Sequence, residues 1–306
     1  MIFLHHYPAS LFSEKIRLLL GHYDLAWQSV EISSIMPRPL LMPLSGGYRR
    51  TPVLQIGANI YADTKVISAA LARHVGDDEL YSGGFLAHRT ADWADSQLFR
   101  VVVALNFRPE AMATMMGQFS EAEAQAFAKD RAELSGDQPI AGLSPTAAMA
   151  YLSHSLAELE TTLRQNEPYL LGDCVSIADF SVYHNLWFLN QNPVNRPLLD
   201  GYSALQSWMK RMRDKGHGAM AMSDGQAALD AAGVCRPTTF DLQSRTMSPF
   251  KSGDLVTVTP VDYGCVPVEG RFVAADHQEI IVERDTQVAG VVHNHFPQAG
   301  FDLVAV

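Results

Sequence analysis

Cysteine is scarce in this sequence: three residues, Cys174, Cys235 and Cys265, occur in a chain of 306. So small and odd a set does not make a disulfide framework and is typical of a reducing compartment, so we expect a cytoplasmic protein. No run of about 18 apolar residues is present, which argues against a membrane-spanning helix. The N-terminus lacks the basic start and long apolar core of a signal peptide, so we expect none.

Positive charge is also limited, with 23 Lys and Arg against 33 Asp and Glu, a formal net charge of -10. An acidic chain is poorly suited to nucleic acid or to an anionic membrane surface, so we expect neither as a partner. Apolar residues are plentiful at 47% of the chain, and 18% of residues are charged. This composition is typical of a globular protein, and the length suits about two domains.

The first 80 residues predict an α/β unit. Apolar runs, periodic segments and turn residues alternate along this part of the chain. The predicted order is strand, helix, strand, hairpin and helix, at residues 1–4, 14–23, 27–32, 51–61 and from Asp63 or Thr64 to about residue 74.

Two serines lie between the first strand and the first helix. Ser13 is the expected N-cap, because its hydroxyl can accept a hydrogen bond from the free backbone donors of the first turn. Ser10 would then lie just before the helix, where unpaired N–H groups and aligned peptide dipoles favour negative charge. A hydroxyl there can donate a hydrogen bond to a ligand's thiolate. The alternative is a helix cap without a chemical role.

The arrangement of strand, helix, strand, Thr51-Pro52-Val53, hairpin and polar pair resembles the thioredoxin-like domain of glutathione transferases. The resemblance implies a cis peptide bond before Pro52, because only X-Pro bonds adopt cis at low cost. It implies that the residue beside this proline, Thr51 or Val53, pairs its backbone with the cysteinyl part of glutathione, as an added strand would. It also assigns Asp63 and Thr64 to the γ-glutamyl end, where a helix N-terminus suits a carboxylate.

The same resemblance bears on the chemistry. Ser10 and Ser13 occupy the Cys-x-x-Cys positions of thioredoxin-like redox proteins, which excludes disulfide exchange there because serine forms no disulfide. Ser10 resembles the serine that donates to the glutathione sulfur in serine-type transferases, and Tyr7 is the second candidate. Arg50 or its neighbour Arg49 could bind the glycyl carboxylate.

From residue 85 the strand signals stop and helical periodicity predominates to about residue 235. Within this region Leu171-Gly172, Ser176 and Ala178-Asp179 match a folding signature of the family. Ser176 and Asp179 have the spacing of a capping box. The resemblance therefore implies an all-helical second domain.

Residues 250–306 form a third segment, for which no family resemblance is evident. Short β-rich runs separated by turns predict a small antiparallel barrel or a curled sheet. His293 and His295 share a strand face, but three ligands at tetrahedral spacing are not evident, so no metal is expected. The segment could bind a protein partner or a second subunit, or it could cover the active site.

The predicted fold class is an α/β thioredoxin-like domain (1–80), an all-α transferase domain (85–235) and a small all-β, barrel-like domain (250–306). The resemblance covers about residues 1–232. It implies a homodimeric glutathione transferase that adds the thiolate of its co-substrate glutathione to a small apolar electrophile, as in detoxification, with isomerisation or dehalogenation as variants. The alternative is a non-catalytic binding or assembly module that acts through the β domain.

Overall fold

The computed structural model of the chain describes residues 1–117, 119–136, 140, 142–238 and 248–306. The strands are β1 (Ile2–His6), β2 (Ala26–Glu31), β3 (Val53–Ile56), β4 (Asn59–Ala62), β5 (Ala219–Ser223), β6 (Leu255–Pro260), β7 (Val268–Ala275), β8 (Glu279–Thr286), β9 (Gly290–Pro297) and β10 (Phe301–Ala305). The helices are α1 (Leu11–His22), α2 (Met42–Ser45), α3 (Thr64–Val75), α4 (Gly84–Trp93), α5 (Phe99–Asn106), α6 (Pro109–Met116), α7 (Glu121–Ser135), α8 (Pro145–Gln165), α9 (Ile177–Gln191), α10 (Ser203–Arg213) and α11 (Gly225–Gly233). A π-helical turn (Ala94–Leu98) joins α4 to α5, and a 3-10 turn (Arg196–Leu199) precedes α10.

The N-terminal α/β unit has the predicted thioredoxin-like order. β1 is parallel to β2 and antiparallel to β3, and β4 forms a hairpin with β3. The Thr51–Pro52 peptide bond is cis, as predicted. Side chains alternate across the sheet: Leu4 and Leu54 face the helical layer, whereas Phe3 and Val53 face the opposite layer.

Both edges of this four-stranded unit are covered by later parts of the chain. β5 pairs in parallel with β2, and β9 pairs in parallel with β4 through Asn59–His293 and Tyr61–His295. The result is one ten-stranded sheet in the order β10-β6-β7-β8-β9-β4-β3-β1-β2-β5. An open strand edge presents unpaired N–H and C=O groups, and these additions satisfy them.

The predicted C-terminal β segment is confirmed as the antiparallel strands β6 to β10. We refer to residues 248–306 as the extension. In the extension, β9 pairs with β4 rather than with β10. The sheet of the extension is therefore continuous with the thioredoxin-like sheet. The domain limits 1–80, 85–235 and 250–306 stay predictions.

The extension shares a hydrophobic core with the N-terminal unit. Phe3, Val53 and Tyr48 belong to the same buried cluster as Phe272 and Phe296 of the extension. The other face of the sheet packs on a second cluster formed with α1, α3 and the helical region. The N-terminal sheet is thus covered on both faces.

The helical region begins at α4, and its predicted capping box is present. Asp179 accepts hydrogen bonds from the Ser176 N–H at 2.9 Å and from the Ser176 hydroxyl at 3.0 Å. Its other oxygen accepts from the Leu170 N–H and from the Trp208 indole N–H, each at 2.9 Å. These contacts show a structural role for Asp179. The prediction that the chain is helical up to residue 235 is wrong at Ala219–Ser223, which form β5.

The end of β1 carries two buried histidines. His6 receives a hydrogen bond on Nδ1 from Arg17 at 3.1 Å, so its proton is on Nε2, which donates to Ser29 Oγ at 2.8 Å. Burial, followed by the Arg17 charge, lowers the pKa of His6 to about 3. Burial lowers the pKa of His5 to about 4, although Gln55 partly opposes it. Both rings are therefore neutral near pH 7.

We predict that Phe296→Ala destabilises the N-terminal unit and the extension together. Phe296 is fully buried, with ring centroids 6.0 Å from Tyr48 and 5.8 Å from Phe301. Its truncation should cost about 3–5 kcal/mol of unfolding free energy. In native-state hydrogen exchange, the amides of β1 and β3 should lose as much protection as those of β8. Unchanged protection in β1 and β3 would show that the extension unfolds separately. The control is Val304→Ala, at a half-exposed position on β10.

We also predict that the protein loses stability as the pH falls from 7 to 5. An unfolded histidine titrates near its ordinary pKa of about 6.5. Below that pH the unfolded chain binds protons that folded His5 and His6 do not, so the unfolding free energy decreases by up to about 1.4 kcal/mol per pH unit for each histidine. Urea unfolding between pH 7.5 and 5 measures the slope.

His6→Gln should reduce this slope because it removes one of the titrating groups. Val304→Ala, at a half-exposed position without a titratable group, is the control and should leave the slope unchanged. An equal slope in wild type and His6→Gln would contradict the assignment.

Candidate active site

Ser10 lies at the N-terminus of α1 and is the N-cap of that helix. Its Oγ accepts a hydrogen bond from the Ser13 N–H at 3.2 Å. This corrects the prediction that Ser13 is the cap: α1 begins at Leu11, three residues earlier than expected. Because Ser10 Oγ accepts from Ser13, its own proton is free to be donated to a ligand.

Arg17 anchors the turn that carries Ser10. The Arg17 guanidinium donates to the Pro8 carbonyl at 3.0 Å and to Glu14 at 2.7 and 2.9 Å. His6 accepts from the same guanidinium. The backbone between Tyr7 and Ser10 is therefore fixed by one buried arginine.

Tyr7, the second candidate for the catalytic role, follows β1 and is partly exposed. It lies close enough to Arg38 and Tyr263 to influence the pKa of each. No hydrogen bond to its hydroxyl occurs among the residues that the structure describes. The structure places both Tyr7 and Ser10 in the turn between β1 and α1.

Thr51 and Val53, on either side of the cis proline, differ in their free backbone groups. Val53 is buried in β3 and has ladder neighbours on both sides, His5 and Ala62. Thr51 precedes β3, and within the described ranges its N–H and C=O make no backbone hydrogen bond. Its hydroxyl accepts from Arg38 at 2.9 Å. The backbone of Thr51 is therefore the one available to a ligand.

Asp63 and Thr64 open α3 as predicted. Asp63 is the N-cap and accepts from the Lys65 N–H at 2.9 Å. Its backbone has φ 88° and ψ 137°, a conformation that costs a non-glycine residue about 1–3 kcal/mol and that is often found at binding sites. Burial raises the pKa of Asp63 above its usual value, although Arg50 and the Lys65 N–H oppose this. Thr64 is buried at the first helical position.

The side chain of Arg50 is bonded to residues of the extension. Its guanidinium donates to the Asp262 carboxylate and to the Tyr263 carbonyl, and it lies 4.0 Å from the centroid of the Tyr263 ring. Its Nη1 is 3.9 Å from Asp63 Oδ2. We call residues 261–267, between β6 and β7, the closing loop. Binding of the glycyl carboxylate by Arg50 stays a prediction, and it would require Arg50 to exchange or share these partners.

A cavity of about 230 Å³ lies between the closing loop and the α4–α5 region. Its walls include Asp95, Ser96, Phe99, Arg100, Asp262 and Tyr263. Phe12, in the first turn of α1, packs against Phe99 with ring centroids 5.0 Å apart. The cavity wall is thus in contact with the helix that Ser10 caps.

Asp95 is held in the π-helical turn, a feature often found at functional sites. Lys15 of α1 donates to it at 2.7 Å, and His184 of α9 lies 3.0 Å from its other oxygen. Burial opposes ionisation of Asp95, but Lys15 and His184 outweigh it and hold its pKa below the usual range. This ion pair links the N-terminal unit to the helical region beside the cavity.

Sequence reasoning missed the contributions of Asp262, Tyr263, Lys15, Asp95 and His184. The 212 positions that separate Arg50 from Asp262 leave no local pattern that pairs them. Lys15 is buried although its side chain is charged. Its sequence signal is that its helical neighbours three and four positions away are all apolar, which places it on the buried face of α1: Leu11, Phe12, Leu18 and Leu19.

Within the described ranges, no group of three or more His, Cys, Asp or Glu side chains could hold a metal ion. None of the described helices is both long and apolar enough to span a membrane. Cys174, Cys235 and Cys265 are free thiols and exposed.

Comparison with known proteins identifies two family regions. The glutathione S-transferase N-terminal domain matches residues 4–78, and the glutathione S-transferase C-terminal domain matches residues 67–211. No curated protein matches the chain significantly.

Solved structures give a further comparison. A GST-like protein from Pseudomonas syringae is 36% identical, with a TM-score of 0.83, and the match covers 100% of this chain and 99% of that one, including the extension. A glutathione S-transferase from Rhodospirillum rubrum F11 has 16% identity and a TM-score of 0.52, covering 70% of this chain and 88% of that one. FzlA from C. crescentus has 19% identity and a TM-score of 0.50, covering 69% and 87%. The last two show the fold alone, whereas the two family regions and the full-length relative show that this chain belongs to the glutathione S-transferase family.

Proposed function

We propose that the chain is a glutathione transferase in which Ser10 stabilises the glutathione thiolate for attack on a small apolar electrophile. The observation that carries the proposal is the position of Ser10. Its oxygen caps α1 while its proton is free, so a thiolate placed there meets both a hydroxyl donor and the positive end of a helix.

These groups can supply the free energy that is needed to lower the pKa of the glutathione thiol. Lowering a thiol pKa by about two units takes roughly 2.7 kcal/mol of preference for the thiolate. A hydrogen bond to a charged group supplies roughly 1.5–3 kcal/mol, and a helix N-terminus adds about 0.3–1 kcal/mol. No further cation is needed to keep the thiolate at neutral pH.

The remaining parts of glutathione have partners along the same cleft. The free backbone of Thr51 suits the cysteinyl unit, in preference to Val53, whose neighbours in the sheet lie on both sides. The first N–H groups of α3, with Thr64, suit the γ-glutamyl carboxylate. The strained backbone of Asp63 supports a binding role for this helix start.

The alternative, a non-catalytic module that acts through the β domain, predicts a different result. In that case the features around Ser10 would be a helix cap and a packed interface only, and glutathione would not bind. The closing loop lies at the cleft rather than away from it, which favours a role for the extension in the site itself.

We predict that Ser10→Ala still binds glutathione but no longer holds it as the thiolate at pH 7. The pKa of the bound thiol should rise by one to two units, because the hydroxyl donor is lost, and the conjugation rate with a small aryl halide should fall about tenfold or more. Thiolate absorbance near 240 nm, followed against pH in the complex, measures the pKa.

Two variants make this test specific. Ser10→Thr keeps a hydroxyl and should retain most of the thiolate, which controls for the lost helix cap. Tyr7→Phe should leave the thiol pKa unchanged if Ser10 is the donor. If the pKa of the bound thiol were raised in Tyr7→Phe but unchanged in Ser10→Ala, Tyr7 would be the residue that stabilises the thiolate.

We propose further that the chain forms a homodimer through the α3–α4 face. Phe85 and Leu86, at the start of α4, are 80% and 59% exposed beside a groove of about 790 Å³. Large exposed apolar side chains next to a groove favour burial by a partner.

We predict that Phe85→Ser weakens the dimer by about tenfold or more, since an aromatic anchor is lost. Analytical ultracentrifugation over a concentration series measures the dissociation constant. Val234→Ser, at an equally exposed apolar residue after α11, is the control and should not change it. A wild-type chain that is monomeric at all concentrations would contradict the proposal.

A further inference from the structure

We propose that Asp262, in the closing loop of the extension, binds the α-ammonium group of glutathione. The extension would then supply part of the substrate site rather than a separate function. This inference rests on the proposed function, because it names a partner for one group of the same ligand.

The closing loop is fixed at the cleft from both sides. Its Gly264 N–H donates to the Leu134 carbonyl of α7 at 2.8 Å. Arg50 of the N-terminal unit donates to the Tyr263 carbonyl at 3.1 Å, and the Tyr263 ring stacks near Phe99 with centroids 6.0 Å apart. The loop is therefore a wall of the cavity in this structure, bound to both the α/β unit and the helical region.

Two carboxylates lie beside one guanidinium. Arg50 is bonded to Asp262 and lies 3.9 Å from Asp63. Lys65, at the start of α3, is paired with Asp92 at 2.6 Å, and Arg89 pairs with the same carboxylate at 2.8 Å. Asp63 and Asp262 are therefore two acceptors next to the N-terminus of α3, an arrangement that suits a ligand with an ammonium group.

Asp262 is the more accessible of the two carboxylates beside Arg50, because its side chain is 43% exposed, against 21% for Asp63. Asp63 already accepts the Lys65 N–H, and Asp95 already accepts from Lys15 and lies against His184. Asp262 uses one oxygen for Arg50, its second oxygen has no partner among the described residues, and its side chain is 43% exposed at the cavity.

A γ-glutamyl group carries its carboxylate and its ammonium on one carbon. If the carboxylate lies on the first N–H groups of α3, the ammonium must lie within a few ångströms of them, where Asp63 and Asp262 meet Arg50. Arg50 then lies at the γ-glutamyl end of glutathione and not at the glycyl carboxylate that the sequence predicted for it. Arg100 also lines the cavity, but it is exposed on α5 and its charge is screened by solvent. In this arrangement the start of α3 binds the ligand's carboxylate, and Asp262 of the extension binds its ammonium group.

The test is a binding comparison on the chain of residues 1–306 with two ligands. One is glutathione, and the other is its deamino analogue, in which hydrogen replaces the α-amino group. Calorimetry should show that the wild type prefers glutathione by about tenfold or more, as expected for a hydrogen-bonded charge pair. Asp262→Asn should lose most of this preference by weakening glutathione binding while leaving the affinity for the deamino analogue nearly unchanged.

Each other outcome overturns a stated part of the argument. Equal weakening of both ligands in Asp262→Asn would mean that the residue acts only by holding Arg50 or the loop. A wild type that binds both ligands equally would overturn the role of Asp262 while leaving the proposed function intact. A wild type that binds neither would overturn the proposed function. Asp302→Asn, at an exposed acid on β10, is the matched control and should retain the wild-type preference.

Discussion

The pairing of β9 with the edge of β4 is the constraint on which the rest of the structure depends. A thioredoxin-like sheet that ends at β4 leaves a row of main-chain donors and acceptors unpaired. β9 satisfies them in a parallel register from Asn59–His293 to Tyr61–His295. This register fixes the position of β6 to β8, and with it the point at which the closing loop reaches Arg50. The pairing of β9 with β4 therefore also determines where the closing loop lies relative to the candidate site.

The charge preference of the candidate site comes chiefly from the backbone N–H groups and dipoles of two helix N-termini. α1 and α3 each begin at residues of the candidate site, and each has a polar N-cap, Ser10 and Asp63. Such helix ends attract anions without requiring a buried cation. Arg17 and Lys15, which could supply a charge, are instead committed to Glu14 and Asp95 in buried ion pairs. Those pairs position the helices, and in the proposed site the ligand would be held by dipoles, hydroxyls and the closing loop.

Much of the fold could be predicted because its signals are local. Pro52, the Ser176 and Asp179 capping box and the strand pattern of the extension each express a short-range preference of the chain. The choice of N-cap could not be predicted, because Ser10 and Ser13 are both able to cap and both are buried in the structure. The fold class was therefore predictable where short-range preferences agree with tertiary packing.

Other features depend on long-range contacts. β5 has the sequence Ala-Met-Ala-Met-Ser, which lacks β-branched residues, and it becomes a strand because β2 offers an open edge. The contact of Arg50 with the closing loop joins residues more than 200 positions apart. No periodicity or motif near Arg50 indicates this contact, so the contact of the extension with the candidate site became visible only in three dimensions.

The most direct test of the central claim is a crystal structure of the chain with glutathione bound. The account predicts the sulfur within hydrogen-bond reach of Ser10 Oγ, about 3.0–3.5 Å away. It also predicts the cysteinyl backbone paired with Thr51 and the α-carboxylate on the first N–H groups of α3. Glutathione bound elsewhere, or bound in this cleft with its sulfur away from Ser10 and Ser10 bonded only to the Ser13 N–H, would contradict it.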